Sequence, residues 1–79
     1  MDENTVSNLL YNLCAEQGFC IPKLMRERLI KFPPKNPRKF AKAVIEAEGL
    51  TIETIDKNIY NGVLGKVERA FRKSESTNK

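Results

Sequence analysis

Histidine and tryptophan are both absent from this 79-residue chain, and cysteine occurs only twice, at Cys14 and Cys20. Without histidine the chain lacks the commonest general base, the commonest metal ligand and the usual pH-dependent switch. Two thiols with no imidazole cannot make up the four ligands of a structural zinc site. Nor do they form the two to four bridges of a small secreted scaffold, so the count points to a reducing, intracellular setting. Cys14 and Cys20 fall at positions that read as buried, and the pair is expected to serve as small core hydrophobes; a Cys14–Cys20 bridge is the other reading. No apolar run approaches the roughly 18 residues of a membrane helix, and the acidic start Met1-Asp2-Glu3 does not resemble a secretory signal. The four glycines, Gly18, Gly49, Gly62 and Gly65, build no phosphate-binding loop. Paired carboxylates such as Glu46 and Glu48 have no predicted cleft around them. The expectation is therefore a non-enzymatic protein without metal, cofactor or small-molecule substrate, in the cytoplasm and off the membrane.

What is present is helical periodicity. Val6, Leu9, Leu10, Leu13 and Cys14 repeat at i, i+3, i+4, i+7 and i+8, predicting a helix over 5–17 capped by Asn4 or Thr5 and closed by Gly18. A second helix over 22–32 opens on Pro22, carries the stripe Ile21, Leu24, Met25, Leu29 and Phe32, and stops at Pro33-Pro34. A third, over 37–48, has Asn36 as N-cap, Pro37 at the first helical position and Phe40, Val44 and Ala47 inward. Gly49-Leu50 supplies its Schellman stop. A fourth, over 52–72, carries Ile52, Ile55, Ile59, Val63, Val67, Ala70 and Phe71, with a bend or a close-packing groove at Asn61–Gly65. Residues 1–4 and 73–79 are polar, aperiodic and expected to fray. The predicted fold is all-α: a small single domain of four helices arranged as two helical hairpins.

Charge is unevenly spread. Residues 1–22 hold three acids and no base, whereas residues 23–42 hold eight bases against Glu27 alone; the remainder is balanced within an overall +4. Lys31 and Lys35 suit the C-terminal end of the second helix dipole. Arg38 and Lys39 oppose the dipole at the start of the third helix, a local cost that points to a use elsewhere. Arg28 reads as a residue of the core edge. Arg26, Lys31, Lys35, Arg38, Lys39 and Lys42 are the candidate anion-binding residues, with nucleic acid as the leading partner and an acidic protein surface as the other. Phe32 and Phe40 flank the basic turn; both match their helices' apolar stripes and are read as core, base stacking being the alternative role.

The run from Val44 to Ile59, with Gly49-Leu50-Thr51 followed by Thr54-Ile55 and Ile59, resembles a helix-turn-helix of the LuxR-type regulators. That resemblance implies a recognition helix in the DNA major groove. The family pattern has a small residue where this chain has Ile45, and Glu53, Asp56 and Lys57 give the would-be recognition helix a net negative face. For a nucleic-acid partner, segment 23–42 is thus the stronger surface. The alternative function is a protein–protein adaptor, or a homo-oligomer, using an apolar patch of Ile30, Ile45, Tyr60 and Leu64, with Ile30 against Ile45 inside the fold as the competing arrangement.

Overall fold

The computed structural model describes residues 2–77, and the side chains of 2–73. It is all-α, with α1 at Glu3–Gln17, α2 at Lys23–Lys31, α3 at Pro37–Ala47 and α4 at Lys57–Thr77. The radius of gyration, 11.7 Å, matches the ~11.6 Å expected of a compact chain this long. The helices form two hairpins, α1 with α2 and α3 with α4, joined by packing of α1 on α4. Although short, the α2–α3 turn does not make those two helices major packing partners.

Each helix end has a local cause. The Asp2 carboxylate accepts from Thr5 N–H at 2.8 Å, so α1 begins two residues earlier than its apolar stripe suggests. Gly18, at φ 76°, reverses the chain, its N–H and that of Phe19 turning back onto the carbonyls of Cys14 and Leu13. Asn36 caps α3 through Arg38 N–H at 2.8 Å, with Pro37 in the first turn. At the other end Gly49, at φ 84°, closes a Schellman motif: Leu50 N–H reaches Ile45 C=O and Gly49 N–H reaches Glu46 C=O.

Helix α4 departs most from the sequence expectation. Residues 51–56 form a turn that replaces its first five expected residues, 52–56. Thr51 C=O takes Thr54 and Ile55 N–H, the Thr51 and Thr54 hydroxyls bond at 2.8 Å, and Asp56 Oδ1 accepts from Asn58 N–H as the true cap. Short polar side chains that bond their own backbone outcompete the helix here. The helix-turn-helix resemblance fails for the same reason: the would-be recognition helix is still a turn until Lys57. From there α4 runs unbroken through Asn61–Gly65 and on to Thr77, through much of the stretch expected to fray. Residues 78 and 79 of that tail, and Met1, lie outside the described residues.

The core is Val6, Leu9, Leu10 and Leu13 of α1, Phe40, Ala41, Val44 and Ile45 of α3, and Val63 and Val67 of α4, with Phe19, Ile21 and Leu29 at the α1–α2 end. Phe40 meets Phe71 edge to face, centroids 6.1 Å apart, across α3 and α4. Phe19, Cys20 and Ile21 alternate in, out, in along the extended link to α2. That alternation overturns the reading of the cysteines as core residues. Cys20 is exposed, Cys14 half-buried, and the Gly18 reversal brings their Cα atoms to 4.3 Å in a disulfide.

Candidate functional site

Helix α2 buries little. Its inward line is Ile21, half-buried Met25 and Leu29, four residues apart, and Leu24 lies about 100° from that line and is 74% exposed. Phe32, expected inside, is 77% exposed. The cause is Pro33, whose ring bars the preceding residue from helical dihedrals. Phe32 accordingly sits at φ −132°, ψ 67°, its N–H still bonded to Arg28 C=O at 2.9 Å, and its side chain leaves the stripe that Met25 and Leu29 share. Phe40, on an intact helix, keeps its register and is fully buried.

Around this corner stand the basic residues. Arg26, Lys31, Lys35, Arg38, Lys39 and Lys42 are all exposed, and among the described residues none is held in an ion pair. Arg28 belongs with them: it is exposed rather than tucked at the core edge, and Leu24, Arg28 and Lys31 share one outward face of α2 at i, i+4 and i+7. On α3, Arg38 and Lys42 share another such face, with Lys39 beside them. Asn36 Oδ1 already accepts the Arg38 and Lys39 N–H groups, so the start of α3 attracts anions through its side chains rather than through open backbone donors. The link between the helices, Phe32-Pro33-Pro34-Lys35-Asn36-Pro37, has three prolines and a capped end. Its ring torsions fix φ at those three positions, which makes the corner stiff.

The other basic cluster is different in kind. An open groove of about 500 Å³ between α1 and α4 is lined by Thr5, Asn8, Asn12, Glu16, Lys66 and Arg69, among others. Lys66 is ion-paired to Glu16 across it, so part of its charge is spent within the fold.

The alternative apolar patch is used internally. Ile45 is fully buried, and Ile30, Tyr60 and Leu64 are half-buried against the core. Of the two readings of Ile45, an exposed patch or burial inside the fold, the structure shows burial: although Ile45 leaves the Phe40–Val44 line, α3 is covered widely enough by α4 to take a second line, Ala41 and Ile45. Among the described residues, the large apolar side chains that are exposed are instead Tyr11, Leu24, Phe32, Leu50, Ile52 and Ile59.

No protein-family model, no curated protein and no solved structure matches this chain. Among the described residues, no helix is long and apolar enough to cross a membrane.

Proposed function

We propose that the chain is a non-enzymatic binding module that engages nucleic acid through the α2–turn–α3 corner. The observation that carries this reading is the set of exposed cations, Arg26, Lys31, Lys35, Arg38, Lys39 and Lys42 with Arg28 beside them, unpaired among the described residues and accompanied in their segment by one acid, Glu27. Cations that answer no acid on their own protein keep their field directed outward, where a polyanion gains by releasing its condensed counterions. The stiff turn favours binding, because fewer backbone freedoms are lost on contact. The cytoplasm, rich in this polyanion, is the compartment we assign; there the Cys14–Cys20 pair is held as a dithiol, and the disulfide belongs to the oxidised protein.

The test is fluorescence anisotropy with a labelled oligonucleotide at several salt concentrations, on the wild type and on the triple variant Arg38→Glu, Lys39→Glu, Lys42→Glu. Six phosphate contacts give a log–log salt slope of about −4 for a single strand and about −5 for a duplex. The triple variant is expected to lose binding while its helical circular dichroism is kept. Two of its three changes place acid in the first turn of α3, where the dipole favours it. Salt-insensitive binding, or full affinity in the folded triple variant, refutes the assignment.

A further inference from the structure

Resting on that reading, we infer that the ligand is a single-stranded nucleic acid and that Phe32 is the platform on which a base stacks. The cations alone cannot choose between strand forms, since both carry phosphates. Phe32 can. Its ring is 77% exposed where α2 ends and the basic turn begins, next to Lys31 in sequence and three residues from Lys35. Pro33 and Pro34, both half-buried, follow it directly, so the ring is presented by a fixed backbone rather than a mobile loop. A duplex hides base faces inside its stack, whereas a single strand offers them, and aromatic rings among cations bind such strands with little sequence preference. Sequence-specific duplex readers most often present a helix or a β-ribbon to the major groove instead. Here the cations straddle a turn between the end of one short helix and the start of another, and Phe32 lies in sequence between those of α2 and those of the turn and α3.

The experiment compares three labelled single-stranded 12-mers of equal charge, deoxyribo-oligothymidine, ribo-oligouridine and an abasic phosphodiester, with a duplex, affinities being compared per phosphate. Wild-type protein is expected to bind a base-bearing single strand about 5- to 100-fold tighter than the abasic 12-mer. Phe32→Ala is expected to erase that difference while leaving affinity for the abasic strand and its salt slope unchanged. Because the protein has no tryptophan, Phe32→Trp supplies a single indole that can be excited apart from Tyr11 and Tyr60. Its fluorescence is expected to be quenched by base-bearing strands and not by the abasic one. Base-dependent affinity with either sugar supports the proposal, and the two series show which sugar is preferred. Equal affinity for base-bearing and abasic strands overturns the stacking role while leaving the basic-corner reading intact, as does a Phe32→Ala loss of equal size on every ligand or a preference for duplex. Absence of binding to all four overturns both.

Discussion

Breaking the Cys14–Cys20 disulfide lowers stability by an amount that can be worked from chain length. The two residues are six apart in sequence, and closing a loop of about seven residues removes roughly 2.3 kcal/mol of unfolded-state entropy at 25 °C. The native side of the balance should change little. Gly18 and Phe19 N–H remain bonded to α1 carbonyls, and Phe19 and Ile21 remain buried on either side of exposed Cys20. For a chain of this size 2.3 kcal/mol corresponds to a fall in Tm of about 9–18 °C. Total stability of about 4–12 kcal/mol is the expectation for 79 residues, so the reduced protein remains folded at 25 °C.

The assay is thermal unfolding followed at 222 nm on oxidised protein, reduced protein and the Cys14→Ser, Cys20→Ser variant, with alkylation and mass spectrometry reporting the thiols. The reduced and double-serine forms should melt together, well below the oxidised form, with native spectra that superimpose. If thiol-free oxidised protein melts within about 2 °C of the reduced form, the loop-entropy reasoning is wrong. A double-serine variant that loses helical signal at 25 °C would show instead that the bridge holds α2 in place. Thiols that remain reactive under non-reducing, aerated conditions would refute the pairing itself.

Two further predictions concern helix ends and interiors. A Cβ at Gly65 meets nothing within 4 Å, so Gly65→Ala should raise stability by about 1 kcal/mol through helix propensity, read as a Tm increase of about 4–8 °C. At Gly62 the added atom falls 2.7 Å from Gln17 Oε1, which must swing aside, so Gly62→Ala should gain less; a loss at Gly65 would contradict an unbroken α4. The hydrogen bond from Thr5 N–H, then that from the Thr5 side chain, hold the Asp2 carboxyl below its ordinary 3.8. Its folded value is therefore lower than its unfolded one. The cap's contribution is complete above the ordinary value and fades as pH falls through the lowered one. Thr5 amide exchange, corrected for its intrinsic pH dependence, should show protection fading there in wild type but not in Asp2→Asn.

What the residues disclosed in advance, and what they withheld, divides along physical lines. Segments governed by neighbours within one helical turn read directly: Asn36-Pro37 and Gly49-Leu50 bracket α3 as expected, and the Val6–Leu13 stripe is buried as its spacing implies. Errors arose where a local competitor broke the period. Pro33 takes Phe32 out of register, and Thr51, Thr54 and Asp56 bond their own turn and delay α4. Cys14 and Cys20 were misread because their meeting depends on the chain reversal at Gly18, which periodicity does not describe. The same limit holds for the candidate interface. Crowding of cations into 23–42 is a property of composition and could be seen at once, but the aromatic that stands out among them could not, because burial of Phe32 or its exposure turns on one backbone dihedral pair.

The division of labour among the helices bears on how the functional tests can be read. Core side chains come chiefly from α1, α3 and α4, whereas α2 buries Leu29 alone among its nine residues and packs chiefly on α1. That partner belongs to the stretch with three acids and no base, so the α1–α2 hairpin sets an acidic segment beneath a basic one. The attraction is diffuse, because among the described residues no ion pair joins them, and at physiological salt it is screened beyond about 8 Å. The cations of α2 and the turn therefore add little to the fold, and the first-turn pair on α3 opposes its helix dipole. Stability and surface charge are thus carried by different residues. Changes at Arg26, Lys31, Phe32, Lys35, Arg38 or Lys39 should move affinity without moving Tm far, and a variant among them that unfolds would mean that this corner is part of the scaffold.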